Sequence, residues 1–324
     1  MPTIEERLAA LESKMAQLTD TTPTTYYTHQ YSGEEIDAAV GRAMTGGALD
    51  TSVGNVSKEL GTFVRPNLLD NWYFGRPVNQ RGQTSWVNPS GWQYAIDRWQ
   101  ITPSSVIALV DGGITITADF HQGLEKDRLE FGRTYTFSVL SSDGRLGKHT
   151  FVLTSDTDVN VGLGFGYFVC YLSGDNVWIR IYGDGTTYKA AKLELGSQQT
   201  LAHQDADGNW VLNEIPDYGE QLARCQRYFQ CLNGDSSWSC IGFAESDGEN
   251  KAALYIPLVV PMRARPSIDF SSLYANGVAI TDITPDQYNP IMLKYRATMA
   301  NAIPSGLKPI LQFSGGYAYV SADL

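Results

Sequence analysis

The sequence has no long apolar run, few cysteines and histidines, and no cluster of basic residues. Among its 324 residues, 24 Lys and Arg stand against 35 Asp and Glu, a formal net charge of −11. A phosphate-binding surface needs clustered Lys and Arg, so a nucleic-acid partner is not expected. No stretch of ~18 apolar residues occurs, and no membrane insertion is expected. Met1-Pro2-Thr3-Ile4-Glu5-Glu6 has neither a basic segment nor an apolar core, so no signal peptide is expected. Cys170, Cys225, Cys231 and Cys240 form no CxxC pair, which argues against a zinc knuckle or a dithiol redox motif. Cys231 and Cys240 flank a possible hairpin and are read as reduced. His29, His121, His149 and His203 sit in no nucleophile or zinc motif, and there is no G-x-S-x-G and no P-loop. The chain is therefore read as a non-enzyme. His203, Asp205, Asp207, Gly208 and Asn209 read as a polar turn, because the ligand spacing of a calcium loop is missing. No cofactor is expected, with a structural Ca2+ elsewhere as the alternative.

What is present is glycine and alternation. The 31 glycines, many in Asp-Gly or Ser-Gly pairs, suit a β-rich chain with many turns, and 43% hydrophobic residues allow large cores. The expected class is mainly β: a short N-terminal coiled coil followed by two antiparallel β-sandwiches. Residues 1–20 carry the coil. Thr3 and Glu6 have capping-box spacing, and Ile4, Leu8, Leu11, Met15 and Leu18 follow the 4-3 rhythm of a coiled-coil seam. So short a coil cannot hold an oligomer alone. Residues 21–66 read as a linker containing a second helix over 32–45, whose stripe includes Ile36 and Val40.

Residues 67–197 read as the first sandwich, with alternating runs over 113–120, 134–140, 149–153, 165–172, 177–182 and 190–195. Ser142-Asp143-Gly144 and Gly183-Asp184-Gly185 read as turns between them. Residues 198–227 read as a helical joint, with Leu222, Cys225 and Phe229 at helical spacing. Residues 228–324 read as a second sandwich, with strands over 252–260, 266–271, 307–313 and 317–321 and a turn at Gly315-Gly316.

Several stretches carry a resemblance. They are Asn67-Leu68-Leu69-Asp70-Asn71-Trp72-Tyr73-Phe74, Asn79-Gln80-Arg81-Gly82-Gln83, and Leu193-Glu194-Leu195-Gly196 followed by Glu220-x-Leu222-x-x-Cys225-Gln226-Arg227-Tyr228-Phe229. Met262-Arg263-Ala264-Arg265-Pro266 and the terminal Ser321-Ala322-Asp323-Leu324 belong with them. This pattern resembles tail-fibre and receptor-binding proteins of phages and prophages, with a jelly-roll domain similar to carbohydrate-binding modules. The resemblance implies a homotrimeric virion protein, partnered by other tail proteins through its N-terminus and by bacterial surface polysaccharide. A purely structural tail, collar or decoration part and a polysaccharide depolymerase are the alternatives.

The most informative local pattern is a hairpin over 165–182. Pairing across residues 173–176 places Leu172, Val177, Cys170, Ile179, Phe168 and Ile181 on one face, which is core. The other face carries Tyr167, Tyr171, Trp178, Arg180 and Tyr182 with Val169. Aromatic rings offer sugars an apolar plane, and polar tips and a guanidinium offer hydrogen bonds. The face is thus a candidate glycan platform, with a subunit contact or internal packing as equal alternatives. Trp72, Tyr73, Trp86, Trp92, Tyr94 and Trp99 read mostly as core. Trp238, in a Gly/Asp/Ser-rich loop, is a second candidate contact.

Overall fold

The computed structural model describes residues 3–19, 64–232, 238–289, 291–313 and 317–323. Ile36, Val40, the helix over 32–45 and the Gly315-Gly316 turn lie outside the described residues, as do the side chains of Ile4, Met15 and Leu18. The chain divides into two compact units, Met1–Gly61 and Thr62–Leu324. In the first, α1 (Ile4–Thr19) forms as the spacing predicts. Its capping box is closed: Glu6 accepts from the Thr3 amide at 2.8 Å, and Thr3 Oγ1 accepts from the Glu6 amide at 3.2 Å. Leu8 and Leu11 are exposed.

The second unit is mainly antiparallel β. Its first module contains β1 (Ser85–Val87), β2 (Gln93–Tyr94), β3 (Gln100–Ile101), β4 (Val106–Val110), β5 (Gly113–Glu125), β6 (Thr134–Ser141), β7 (Leu146–Val152), β8 (Asp158–Gly162), β9 (Tyr167–Ser173), β10 (Asn176–Leu195), β11 (Ala202–Gln204) and β12 (Trp210–Leu212). The first ten make one sheet along β1-β4-β5-β10-β6-β7. The short β2–β3 pair branches from β5, and β8–β9 branches from β10. The β6–β7 part packs over the β9–β10 part: Phe137 stacks on Phe168 with centroids 4.2 Å apart, and Phe151 closes on the same ring at 5.5 Å. The core between them also holds Cys170, Ile179, Ile181, Trp99 and Phe120.

β10 differs from expectation in one respect. Gly183-Asp184-Gly185 is not a turn between two strands; it lies inside a single 20-residue strand. The first half of β10 pairs with β9 and β5 and the second half with β6, with register shifts at Asp184/Thr187 and Tyr188/Ala190. Gly183 sits opposite Ala118 of β5, and a Cβ on Gly183 would collide with the Ile116 carbonyl. Ala118 itself takes φ 65°, left-handed backbone that costs a non-glycine residue energy. The two longest paired strands therefore bend at one shared point, and glycine is needed there for close approach rather than for reversal.

Part of the segment 198–214 packs into this module's core. The β11–β12 hairpin contributes Leu201 and Ala202 to it, and Glu194, fully buried, accepts from the Thr200 amide and hydroxyl at 2.6 and 2.5 Å. α2 (Tyr218–Gln226) follows, N-capped by Asp217, which accepts from the Glu220 amide at 2.9 Å. It ends before Phe229, which the helical spacing had included. Its buried residues are Gln221 and Cys225, and Phe229 has already passed into the next strand.

The second module comprises β13 (Phe229–Cys231), β14 (Cys240–Ser246), β15 (Lys251–Pro257), β16 (Ser267–Phe270), β17 (Leu273–Ala275), β18 (Val278–Asn289), β19 (Met292–Met299), β20 (Ile310–Phe313) and β21 (Ala318–Ser321). In place of a second sandwich, six strands close into a barrel in the order β14-β15-β19-β18-β17-β20, beside a small sheet β13-β21-β16. β18 is the longest strand here and contains Pro285, placed next to a register shift, where its missing amide is tolerated.

The modules meet over buried charge. Asp70 is ion-paired to Arg98 at 3.2 Å, Arg128 at 3.0 Å and Arg224 at 2.6 Å. Burial works to raise its pKa, but the three guanidinium groups bring it down to about 2. The Arg98 guanidinium, fully buried, lies 3.4 Å from the centre of the Tyr228 ring, and the Tyr228 hydroxyl donates to Glu125, which also accepts from Arg263 at 3.1 Å. Arg81 bridges Asp97 at 2.8 Å and Asp323 at 2.7 Å. Burial raises Asp97 to about 6 against the pull of Arg81. Removing the anion at the centre should be far worse than removing one of its cations. Asp70→Ala is expected to cost on the order of 3–5 kcal/mol, since it strands the buried Arg98. Arg224→Ala is expected to cost about 1 kcal/mol, since Asp70 keeps two partners. Urea unfolding of both variants measures the difference.

Candidate functional site

The β9–β10 hairpin forms in the register that the sequence predicts: Tyr171 faces Trp178, Val169 faces Arg180 and Tyr167 faces Tyr182, around Gly174-Asp175. The alternation sorts the strand by face. Val177, Ile179 and Ile181 are buried in the core, whereas Trp178, Arg180 and Tyr182 are half-buried or exposed. Tyr167 is 52% exposed and Tyr182 40% exposed, their rings edge to face at 6.4 Å. Tyr171 is half-buried and Val169 nearly covered. Five of the predicted contact residues thus share one open sheet face. Trp238 does not join them: it is 48% exposed in the second module, its ring 5.4 Å from Tyr274 and its carbonyl accepting from Gln312 of β20.

The other side of β10 brings in residues that the hairpin pattern does not contain. Along β5, Gly123 faces Trp178, His121 faces Arg180 and Asp119 faces Tyr182. Arg180 reaches Asp119 at 2.5 Å and its guanidinium lies 5.1 Å from the Tyr182 ring centre. The second oxygen of Asp119 accepts from Thr102 at 2.9 Å, which fixes the carboxylate. His121 is 2% exposed, flanked by Trp92 at 5.0 Å and Trp178 at 6.4 Å. Burial, reinforced by the Arg180 charge and opposed by Asp119, lowers the His121 pKa to about 4, so it is neutral at pH 7. Trp72, Trp86 and Trp99 are buried, but Trp92 is 58% exposed and stands over His121. Trp92, Asp119 and His121 are therefore part of the face. The local signal for Trp92 was its neighbours Ser90-Gly91, a turn-like setting unlike that of the core tryptophans. For Asp119 and His121 only the β5–β10 pairing reveals the role.

The face is an open platform of rings with a charged pair and a neutral imidazole at its centre. Such an arrangement can stack on an apolar ring face and exchange hydrogen bonds with polar substituents. A cleft beside α2, lined in part by Tyr73, Arg76, Ile215 and Tyr218, is a separate feature with Arg76 resting 4.6 Å from the Tyr218 ring centre. Asp205 accepts from the amides of Asp207 and Asn209 at 3.0 and 2.9 Å, so the His203–Asn209 segment is a turn held by its own carboxylate. Among the described residues no group of three His, Cys, Asp or Glu could hold a metal ion, and no helix is long and apolar enough to cross a membrane.

His121 and Asp97 make opposite demands on pH. The folded state resists protonating His121 until about 4, against an ordinary 6.5, so stability from this group is lost as pH falls through that window. The folded state keeps Asp97 protonated up to about 6, against an ordinary 3.8, so stability from this group is lost as pH rises through nearly the same window. Each shift of roughly two units corresponds to about 3 kcal/mol. Asp97→Asn should leave a protein that weakens by about that amount from pH 6.5 to 4, and His121→Phe one that strengthens. The native chain should fall between them, which unfolding midpoints across pH will show.

No family model, no curated protein and no solved structure matches the chain, so the reading of this face rests on its own residues and geometry.

Proposed function

We propose that the chain is a tail-fibre-like virion protein of a phage or prophage, held as a homotrimer, that binds bacterial surface saccharide through the face of Tyr167, Tyr171, Trp178, Arg180 and Tyr182. The observation that carries this is the open face itself: two tyrosines about half exposed, with Tyr171, Trp178 and an ion-paired arginine beside them, on a hairpin whose opposite face buries Phe168, Cys170, Val177, Ile179 and Ile181 in the core. Rings left in solvent at this density suit stacking on sugar rings, and the Arg180–Asp119 pair suits hydrogen bonds to hydroxyls. In this reading the first module is a jelly-roll, carbohydrate-binding-module-like domain. The exposed Leu8 and Leu11 of α1 support self-association through a coiled coil. Three weak sites on one assembly bind a repeating polymer with avidity that no single site has.

Asp119 is held in an ion pair with Arg180, which suits directional hydrogen bonding to a bound hydroxyl. The test is retention of the full chain on bacterial surface polysaccharides, with and without Ca2+, alongside its mass in solution. Saturable binding that falls about tenfold in Trp178→Ala and in Tyr182→Ala, with the mass unchanged, supports the proposal; tenfold corresponds to about 1.4 kcal/mol, the scale of one lost stacking contact. Dissociation of the assembly by the same variants, without saccharide binding in the parent, identifies the face as a subunit seam of a structural part.

A further inference from the structure

Buried side-chain polar atoms in folded proteins almost always have hydrogen-bond partners. Eight among the described residues do not, and four of these lie together on the platform: Asp119 Oδ1, both ring nitrogens of His121, and Arg180 Nε. Asp119 Oδ1 lies in ionic contact with Arg180 Nη2, but without hydrogen-bond geometry. The remaining four are scattered over Arg98, Ser138, Asp286 and Asp323. This clustering falls where the exposed rings are, beneath Trp92 and beside Trp178 and Tyr182. Groups left unpaired at such a place are ones that a bound molecule can complete.

The unmet capacity has a definite chemistry. Neutral imidazole offers one donor and one acceptor, Arg180 Nε one donor, and Asp119 Oδ1 one acceptor. Donors and acceptors are balanced. Hydroxyl groups donate and accept at once, so two sugar hydroxyls can use all four. A carboxylate, sulfate or phosphate only accepts; it would leave the imidazole acceptor and Asp119 unmet and set a second anion beside Asp119. The Arg180 charge is already countered by Asp119 at 2.5 Å, and the chain as a whole carries −11. Access to His121 runs past Trp92, which is 58% exposed on the segment between β1 and β2, so its ring can turn without disturbing the core.

We propose that Asp119, His121 and Arg180 form a hydroxyl-reading subsite for a neutral saccharide, walled by Trp92 and Trp178 and requiring no divalent cation. This rests on the saccharide-binding reading above and adds the ligand class and three specificity-determining residues, Trp92, Asp119 and His121. The occupant is a pyranose with neighbouring free hydroxyls, stacked on a tryptophan with its hydroxyl edge toward His121 and the Arg180–Asp119 pair.

The test compares an acidic polymer with its carboxyl-reduced counterpart and with other neutral polymers. Polygalacturonate and the galactan made from it by carboxyl reduction, with a neutral mannan and a dextran, are titrated into the full chain while tryptophan fluorescence and calorimetric heat are followed, at low and high salt and with EDTA. The expected result is that at least one neutral polymer binds at least tenfold tighter than polygalacturonate, unaffected by salt or EDTA. Trp92→Ala and Asp119→Asn should each lower that affinity about tenfold; Trp92→Ala alters an exposed side chain, so it tests the site even if Asp119→Asn disturbs folding. Preference for polygalacturonate, loss of binding at high salt, or loss with EDTA overturns the neutral subsite while leaving a saccharide-binding face. Binding that Trp178→Ala weakens but Trp92→Ala and Asp119→Asn do not overturns the role of the cluster alone. Absence of binding to every polymer, neutral and acidic, overturns the subsite together with the function it rests on.

Discussion

The architecture of the large unit depends on one carboxylate holding three guanidinium groups. Asp70 comes from the segment that opens the first module, Arg98 and Arg128 from its loops, and Arg224 from α2. A carboxylate this deeply buried is tolerated only because the cations outweigh its desolvation, and the cations are tolerated only because of it. Arg98 then lies against Tyr228, Tyr228 donates to Glu125, and Glu125 accepts from Arg263 of the second module. Both apolar cores are thus joined by a polar relay. Apolar contacts are indifferent to small slides, whereas directional charge-assisted bonds are not. The relay fixes how one module faces the other within this unit.

A similar economy shapes the platform. β10 is shared by both parts of the first module's sheet, and its bend at Gly183, opposite the left-handed Ala118, lies directly beside Tyr182 and Asp119. The residues that permit the bend therefore also set where the ring face ends and where the carboxylate begins. Asp119 is held from one side by Thr102 and from the other by Arg180, so the polar centre is positioned by the scaffold before anything binds.

Much of this was legible in the sequence where the interacting residues are close along the chain. The capping box of α1 and the whole register of the β9–β10 hairpin follow from spacing, because a two-residue turn leaves one pairing that puts all apolar residues on one side. The ring face followed from that register. Its polar centre did not: Asp119 and His121 meet Arg180 through β5, more than fifty positions earlier by the numbering, and no local pattern encodes which distant strand becomes a neighbour. Trp92 read as core because it sits among core tryptophans, and only the loop conformation turns it outward. β18 escaped notice because Asp282, Pro285 and Asp286 break its alternation, and β14 and β17 because closure of a barrel, not a strong pattern in each strand, stabilises them; β19 does alternate, with Leu293, Tyr295, Ala297 and Met299 inward, and its signal was overlooked. Gly183-Asp184-Gly185 misled for a physical reason: the composition of a turn and that of a close-packed bend are the same.

The small sheet of the second module has an ordering consequence. Its central strand, β21, pairs with β13 on one side and β16 on the other, and β13 precedes the entire barrel while β21 follows it. β13 cannot find its partner until every barrel strand has been synthesised, and closing so long a loop is entropically favoured only once the barrel has drawn its ends together. Assembly of this module is therefore gated by its final strand, and Arg81 gripping Asp323 beside that strand makes the first module the seat onto which the closure snaps.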